Sequence, residues 1–376
     1  MKTRNHAFDL LCGICIVRMM QLHINGYCGF ETSEWWAPVM DWTYFFMSFF
    51  FFKAGYFNKT KSRPGNAGEG GSLRYIIDRA KRLLVPYFVW GGIGCLIYFF
   101  FALLILPKEN PMVKCLEWSH IWRTGDFYGN TPCWFLLSFF MAYIGMHFMS
   151  KVRGLRWVAL AFPAISWALA QCDNPLWLSL NNVFMGIFLF FLGRVWHWVL
   201  KRLAPPSPTP LTERPNWLRR NLSILLSLFL IAAFVTLNIL SPGTYTLHTN
   251  TWTGNPFVTI VSIVCALCGL SGLLLSLPMR RIPLLGYIGE HSMVFFVAHY
   301  PMLTLYKLIR SAASHSINQH WDDFTILILI LFPVCLLLVP HVEKVSWLSG
   351  RFKTRPHTAE ETSTPSETVS HSEDKE

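Results

Sequence analysis

Long apolar segments alternate with short polar ones along almost the whole chain. A helix needs roughly 20 apolar residues to cross the roughly 30 Å of hydrocarbon in a bilayer. Ten segments approach that length, and they lie near residues 8–24, 39–57, 83–106, 132–149, 155–171, 178–200, 221–240, 256–277, 284–306 and 324–348. The pattern therefore predicts an all-α membrane protein with about ten transmembrane helices.

The basic residues predict how these helices are oriented, because cytoplasmic loops are rich in Lys and Arg. With the N-terminus inside, the inside segments hold most of the basic residues. The outside segments hold only Lys108, Lys114, Arg123, Lys307 and Arg310. The outside segment 241–255 contains no charge at all. This alternation persists through all the spans, so both termini are predicted to be cytoplasmic.

The spans form one predicted domain, a polytopic membrane domain over residues 1–350. The first apolar segment is expected to remain part of the protein, because no cleavage site for a signal peptide follows it. Segments 59–71 and 205–215 are rich in Gly or Pro and are predicted to be cytoplasmic loops. Residues 351–376, dominated by Ser, Thr and Glu, are predicted to be a disordered cytoplasmic tail.

Composition supports a membrane protein over a water-soluble one. Of the 376 residues, 53% are hydrophobic and only 14% are charged, and the chain contains 31 Phe and 16 Trp. The net charge of +11 does not indicate nucleic-acid binding, because the basic residues are not gathered into one module. They are spread in short clusters between the apolar segments.

The cysteines do not form a disulfide framework, because most of the ten lie inside predicted helices, where a thiol behaves as a small hydrophobe. Four lie at or beyond the predicted outer surface, and their pairing stays open: Cys28, Cys115, Cys133 and Cys172. The outer segment HSINQHWDD, residues 315–323, is interpreted as a solvated polar loop and not as a metal site. No metal site is predicted.

The first apolar segment, FDLLCGICIVRMMQLHI, carries Asp9, Arg18 and His23. Ionisable groups are costly in hydrocarbon, so each is a functional candidate, and His23 alone can exchange protons near neutral pH. At 100° per residue, Asp9, Cys12 and His23 share one helix face, whereas Arg18 points to the side opposite Asp9.

The residues alone leave two interpretations of these groups open. His23 is either a catalytic residue or a buried histidine that bonds a neighbouring helix. Arg18 and Lys53, two cations at membrane depth, imply anionic partners or an aqueous cavity. Because both an enzyme and a transporter need a polar cavity, the two classes remain open.

The spacing in the first helix resembles the opening signature of integral-membrane acyltransferase family 3, bacterial enzymes that O-acylate cell-surface glycans. In that signature an Asp is followed by a basic residue, then ten residues, then a His. Here Asp9 is followed by Cys12 and, after ten residues, by His23. Cys12 stands in the basic position, so this helix lacks the cation that the family keeps near the cytoplasmic face.

Four further phrases resemble the family's motifs and occur in the same order. FFMSFFFFKAGYF resembles its second-helix phrase, and RAKRLLVPYFVW matches the RxxR motif that opens its third helix. TPCWFLLSFF resembles the start of its fourth helix, and LLGYIGEHSMVFFVAHYPML resembles its ninth-helix phrase. The residues that carry these matches are Gly55, Tyr56, Arg79, Arg82, Pro86, Trp134, Gly289, Ser292, His299 and Pro301.

The resemblance implies an acyltransferase of the bacterial inner membrane. It would move an acyl group, acetyl by default, from cytoplasmic acyl-coenzyme A to a hydroxyl of an extracytoplasmic glycan or lipid-linked saccharide. Acyl-coenzyme A is then a co-substrate, and no bound cofactor is implied. The resemblance gives His23 the role of general base, while a nucleophilic role that forms an acyl-histidine stays open.

The resemblance also implies a donor site on the cytoplasmic side. Arg79 and Arg82 lie three residues apart on one helix face, and Arg binds phosphate oxygens through a fork of donors. The alternative is that both residues only set topology or contact anionic lipid. A channel between Arg79 and His23 would let the thioester arm reach the acceptor.

Four residues are placed near the site in supporting roles: Asp9, Arg18, Trp134 and His299. Trp134 has a rival role as an interfacial anchor, and His299 as a helix contact. Arg18 is interpreted as a packing or cavity charge. A transporter or flippase of a glycan or lipid-linked intermediate shares the helices and buried cations and is the competing interpretation. A structural scaffold explains neither His23 nor Arg18 and is ranked last.

Overall fold

The structure, a computed structural model, describes residues 5–28, 41–58, 69–105, 113, 115, 117–152, 154–172, 176–203, 214–280, 282–312 and 320–352. Four segments with sequence predictions lie wholly or partly outside these residues. They are most of the loops 59–71 and 205–215, residues 315–319 of the outer loop, and the tail after residue 352.

The described chain is built almost entirely from α-helices, as the sequence predicts. They are α1 (His6–Cys28), α2 (Ser48–Phe57), α3 (Glu69–Ile105), α4 (Trp118–Thr124), α5 (Trp134–Lys151), α6 (Phe162–Ala170), α7 (Leu180–Leu203), α8 (Arg214–Leu240), α9 (Pro256–Ser276), α10 (Pro283–Glu290), α11 (Ser292–Ala312), α12 (His320–Lys344) and α13 (Ser346–Ser349). Strands β1 (Tyr245–Thr246) and β2 (Thr251–Trp252) pair antiparallel in a short hairpin.

Within the described residues, six helices are long and apolar enough to cross a membrane, fewer than the ten predicted spans. They are His6–Gly26, Ser72–Leu104, Thr131–Lys151, Trp177–Leu203, Trp217–Leu240 and Pro256–Ser276. The chain is therefore a multi-pass membrane protein by its helices, while the count of ten and the side of each terminus stay predictions.

Three of the remaining predicted spans have an irregular form. The span 39–57 contains the ten-residue α2, which rises only about 15 Å. The span 155–171 begins as a 3-10 helix, Leu155–Ala161, before α6. The span 284–306 is broken at His291, whose Nδ1 lies 2.5 Å from Glu343 Oε1 on α12. Apolar length alone does not report such breaks.

Helices α1 and α10 meet backbone to backbone at two glycines. A Cβ on Gly13 would lie 2.0 Å from the carbonyl oxygen of Leu285, and one on Gly289 would lie 1.7 Å from that of Asp9. Small residues allow this approach, which recurs between membrane helices. The contact fixes α1, which carries His23, relative to the chain that continues into α11.

Aromatic side chains on one face of α5 form the centre of the core. The rings of Phe135 and Phe139 stack with centroids 5.3 Å apart, and those of Phe139 and Tyr143 lie 5.0 Å apart. Phe51 of α2 packs edge-on against both phenylalanines, and Phe190 of α7 packs against Tyr143. This column runs along α5 from the site described below toward the end that carries Lys151.

Two buried asparagines attach the connecting segments to the helices. Asn130, before α5, donates from Nδ2 to the carbonyl oxygens of Trp90 on α3, at 3.2 Å, and Val297 on α11, at 3.1 Å. Asn250, in the hairpin turn, accepts a hydrogen bond from Ser166 Oγ at 2.6 Å and donates to the Ser166 carbonyl at 2.8 Å. These bonds attach the segment before α5 to α3 and α11, and the hairpin to α6.

Candidate functional site

His23 lies between two cavities. The first, of about 310 Å³, lies between α1, residues 41–47, the start of α5 and the hairpin, and its polar and aromatic lining includes Arg18, His23, Asp41, Tyr44, Trp134, Tyr245 and His248. The second, of about 430 Å³, is lined by His23, Gly26, Tyr300, Thr304 and Lys307 among others. A group bound in either cavity can therefore contact the same imidazole.

A second histidine, His299 on α11, lies beside His23. Their ring centroids are 5.2 Å apart, and the ring of Tyr300 lies 5.3 Å from that of His23. His299 is fully buried, with Nδ1 2.8 Å from the carbonyl oxygen of Phe296. Because a carbonyl only accepts, Nδ1 carries the proton and Nε2 of neutral His299 is an acceptor. This buried Nε2 has no hydrogen-bond partner among the described residues.

Arg18 lines the first cavity with His23, although the two side chains leave α1 in different directions. Its Nε donates to Thr43 Oγ1 at 2.6 Å, and its guanidinium lies 5.0 Å from the ring centroid of Phe46. Residues 41–47 close around this side of α1, so the cavity extends from one face of the helix to the other. Arg18 is a buried cation in the wall of the site.

Trp134 also lines the first cavity, at the beginning of α5. It is only 5% exposed, whereas an interfacial anchor presents its ring to lipid headgroups. Its ring stacks on that of His248, with centroids 4.8 Å apart and planes inclined by 24°. Trp134 therefore connects the predicted site to a histidine that sequence reasoning did not select.

Asp126 lies between His248 and a further histidine, His120. The Asp126 Oδ1 atom lies 2.5 Å from His120 Nε2 and accepts from Thr124 Oγ1 at 2.6 Å, while Oδ2 lies 3.7 Å from His248 Nε2. Burial raises the pKa of the Asp126 carboxyl, but the nearby His248, the hydrogen bond from Thr124 and the charge of His120 outweigh burial, and the pKa lies below its ordinary value. The one sequence signal was a histidine within the chargeless segment 241–255.

The predicted donor residue Arg79 lies apart from both cavities, where α3 meets α5. Its guanidinium is 4.4 Å from the ring centroid of Tyr143 and 5.2 Å from that of Tyr75. Tyr75 in turn stacks on His147 at 4.4 Å, and its buried hydroxyl has no hydrogen-bond partner within the described chain.

Further positively charged side chains lie near Arg79 on the same two helices, α3 and α5. Lys151 Nζ on α5 donates to Ser72 Oγ on α3 at 2.7 Å, and Ser72 Oγ lies 2.7 Å from His147 Nε2. Arg82, the second predicted donor residue, is exposed on α3, one turn beyond Arg79. The structure thus places positive groups from two helices around the aromatic pair Tyr75 and Tyr143.

Asp9 is separated from His23 by fourteen residues of α1, or about 21 Å, and lines neither of the two cavities. One turn above it, Lys53 of α2 donates from Nζ to Cys12 Sγ at 2.8 Å. Lys53 therefore brings an ammonium group to the position at which the family signature has a basic residue on α1.

Two remaining sequence interpretations concern cysteines and metals. Cys115, Cys133 and Cys172 are free thiols, and Cys28 lies outside the side chains that the structure describes. Among the described residues, no group of three or more His, Cys, Asp or Glu side chains is placed to hold a metal ion.

The arrangement separates a histidine cavity from a cationic cluster. Trp134 in the cavity and Tyr143 under Arg79 are nine residues apart on α5, an axial distance of about 14 Å. The structure brings His23, Arg18, Trp134 and His299 together and keeps Arg79 and Arg82 apart from them.

Comparison with known proteins gave one match. A family model described as an acyltransferase domain matches residues 5–340, nearly the whole chain. No curated protein and no solved structure matches the chain.

Proposed function

The chain belongs to acyltransferase family 3, and from that membership we propose an O-acyltransferase of the bacterial inner membrane. It moves an acyl group, acetyl by default, from acyl-coenzyme A to a hydroxyl of an extracytoplasmic glycan or lipid-linked saccharide. The observation that carries the proposal is the position of His23, which is shared by two cavities and adjoins a buried histidine with an unused acceptor nitrogen.

In the proposed reaction His23 acts as general base. It removes the proton of the acceptor hydroxyl as the oxygen attacks the thioester carbonyl, the carbon–sulfur bond breaks, and the leaving coenzyme A thiolate takes up a proton. His299 is the proposed positioning residue: in the reacting complex its Nε2, which has no hydrogen-bond partner among the described residues, accepts a hydrogen bond from one His23 nitrogen and leaves the other for the hydroxyl. The centroid separation of 5.2 Å brings the two rings within reach of such a bond.

The same placement serves a nucleophilic His23, in which the acyl group passes first to the imidazole and then to the acceptor. The two mechanisms differ in whether an acyl-histidine accumulates when donor is supplied without acceptor. Mass spectrometry after incubation with acetyl-coenzyme A distinguishes them by an added acetyl mass on the intact chain that proteolytic digestion locates on the peptide containing His23.

Arg79 is the proposed centre of the donor site. Its planar guanidinium lies against Tyr143 and Tyr75, and an Arg that stacks by its face keeps its in-plane N–H groups available for phosphate oxygens. Lys151 and the exposed Arg82 add positive charge nearby, and the buried Tyr75 hydroxyl offers a donor. Coenzyme A carries several phosphate charges, which this set of groups complements.

The thioester arm then has to travel about 14 Å along α5, from Tyr143 to Trp134. The rings of Phe135 and Phe139 occupy this path in the structure. Donor binding is therefore expected to displace at least Phe139, which is only partly buried, from the column.

The test is His23→Gln, which retains a hydrogen-bonding side chain but cannot act as a base. His341→Gln, at an exposed position on α12 that lines neither cavity, is the matched control. Purified proteins are compared for coenzyme A release from acetyl-coenzyme A, and cells that carry each variant for the mass of their surface glycans. Loss of a general base is expected to lower the rate by about 100-fold to 10,000-fold, whereas the control keeps the wild-type rate.

Normal glycan acylation in cells that carry only His23→Gln would overturn the role of His23. Movement of an unmodified saccharide across vesicles, without coenzyme A release, would favour the transporter or flippase. Unchanged thermal unfolding of His23→Gln shows that the loss is chemical and not a failure to fold.

A further inference from the structure

A series of contacts between α3 and α5 joins Arg79 to Lys151. The Arg79 guanidinium lies over the ring of Tyr75, which stacks on the His147 ring with centroids 4.4 Å apart. His147 Nε2 lies 2.7 Å from Ser72 Oγ, which accepts a hydrogen bond from Lys151 Nζ at 2.7 Å. The proposed centre of the acyl-donor site is thereby connected to an ammonium group at the end of α5.

The cations along this series lack acidic partners within the described chain. Arg79, Arg82 and Lys151 form no ion pair with a carboxylate among the described residues. Arg79 instead contacts the ring faces of Tyr143 and Tyr75. Like charges placed close together repel, and a negatively charged ligand relieves that repulsion. The cluster therefore suits a ligand that carries more than one negative group.

The Lys151 ammonium is held in place but keeps hydrogen-bond donors for a ligand. Its side chain is exposed, and Nζ lies 5.5 Å from the ring centroid of Phe148 in addition to its bond with Ser72. A Lys ammonium has three N–H donors, so the bond to Ser72 Oγ leaves two for a phosphate. Because the side chain is already ordered, less conformational entropy is lost when a ligand binds.

The order of these groups along α5 matches the order of groups in acyl-coenzyme A. Measured along the helix axis from Trp134, Tyr143 under Arg79 lies about 14 Å away and Lys151 about 26 Å away. In acyl-coenzyme A the pantetheine arm follows the thioester, the diphosphate follows the arm, and the adenosine with its ribose 3′-phosphate comes last. If the thioester points toward Trp134 and the diphosphate lies at Arg79, the 3′-phosphate lies toward Lys151.

We propose that Lys151, held by Ser72, binds the ribose 3′-phosphate of the acyl donor. The inference rests on the proposed acyl transfer from acyl-coenzyme A. It makes the site selective for thioesters of coenzyme A over thioesters of carriers that lack the 3′-phosphate. A phosphate monoester carries a charge of about −1.5 to −2 at neutral pH, which an ammonium group complements. A lipid headgroup also presents a phosphate, so the experiment changes the ligand as well as the protein.

The experiment measures the dissociation constants of coenzyme A and 3′-dephospho-coenzyme A for the purified full chain by titration calorimetry. The two ligands differ only in the group that Lys151 is proposed to bind. Because a hydrogen bond between charged groups is lost with the 3′-phosphate, the wild type is expected to bind coenzyme A about tenfold more tightly.

Variants locate this preference on the protein. Lys151→Gln is expected to weaken the binding of coenzyme A about tenfold and to leave that of 3′-dephospho-coenzyme A within about twofold of the wild type. Ser72→Ala frees the ammonium and is expected to lose part of the preference. Arg79→Lys is expected to weaken both ligands by similar factors, because both contain the diphosphate. Lys344→Gln, at an exposed position on α12, is the matched control and keeps both wild-type affinities.

Equal affinity of the wild type for the two ligands would overturn the proposal, and this comparison needs no variant. The proposal also fails if folded Lys151→Gln weakens both ligands alike or neither, which is the result for a lysine that only sets topology or contacts lipid.

Release of coenzyme A from acetyl-coenzyme A, with glycan-bearing membranes from cells that lack this protein, tests the proposed function separately. A folded wild type that neither binds coenzyme A nor releases it would overturn the acyl transfer and the role of Lys151 together. A wild type that releases coenzyme A but binds both ligands equally would leave the acyl transfer in place and overturn only the 3′-phosphate site.

Discussion

The contact between α1 and α10 leaves no room for a methyl group, and Gly289→Ala tests how far the site depends on it. The added Cβ would lie 1.7 Å from the Asp9 carbonyl oxygen and 2.8 Å from the Gly13 nitrogen. Backbone atoms cannot turn aside as a flexible side chain can, so the two helices have to separate. Gly13→Ala meets Leu285 from the other side of the same contact.

The required displacement follows from these distances. Moving the new Cβ from 1.7 Å to the 3.4 Å at which ordinary contact begins is a shift of about 1.7 Å. Overpacking of this kind costs about 1–3 kcal/mol. Because α10 continues into α11, which carries His299 ten residues after Gly289, the shift also alters the 5.2 Å separation of His299 and His23. Misplacement of a catalytic group by about 1 Å can lower a rate by on the order of 100-fold.

The assay compares thermal unfolding and coenzyme A release for the wild type, Gly289→Ala and Gly13→Ala in one detergent. Gly92→Ala on α3 is the matched control, because an added Cβ there meets no atom within 4 Å. Both contact variants are expected to unfold at a lower temperature and to lose most activity. The control is expected to keep its activity and gain up to about 1 kcal/mol from the helix propensity of Ala.

Wild-type stability and activity in Gly289→Ala would refute the reasoning, since the backbones would then not be as close as the structure has them. An equal loss of stability and activity in Gly92→Ala would also refute the reasoning, because the loss would then come from replacing a helical glycine and not from the contact between α1 and α10.

Three further predictions follow from single contacts. Arg79→Lys keeps the charge but loses the planar guanidinium, so the KM for acetyl-coenzyme A is expected to rise about tenfold with little change in kcat. The control Arg74→Lys, at an exposed position on the same helix, is expected to change neither KM nor kcat. Lys53→Met is expected to lower activity, because it removes the ammonium group beside Cys12. The double variant Lys53→Met, Cys12→Arg is expected to restore part of the activity. A double variant no more active than Lys53→Met would show that activity does not depend on a cation at this position. Because hydrogen bonds hold the pKa of Asp126 below its ordinary value, its ionisation stabilises the fold above about pH 3.9 and this contribution is lost at lower pH. Unfolding temperatures measured across acidic pH should therefore fall less steeply for Asp126→Asn than for the wild type.

Local properties explain the elements that were predictable. The segment 8–24 is long and apolar enough for a membrane-spanning helix, in which the backbone groups bond one another, and α1 covers it with Asp9, Arg18 and His23 in place. The family was also recognisable, because its motifs are short sequence segments whose order along the chain can be read without knowledge of the fold. The match over residues 5–340 confirms the family. The break at His291 was not predictable, because it accompanies a contact with Glu343 from 52 residues further along the chain.

By itself the sequence determined that the chain is a helical membrane protein, that it belongs to this acyltransferase family and that His23 is its leading candidate base. Apolar length and motif order are properties of consecutive residues, so they can be read without a fold. Only the tertiary structure decided which groups surround His23. Trp134, His248 and Asp126 come from separate segments, and Lys53 reaches Cys12 from another helix. Contacts of this kind depend on how helices pack, which no single segment encodes.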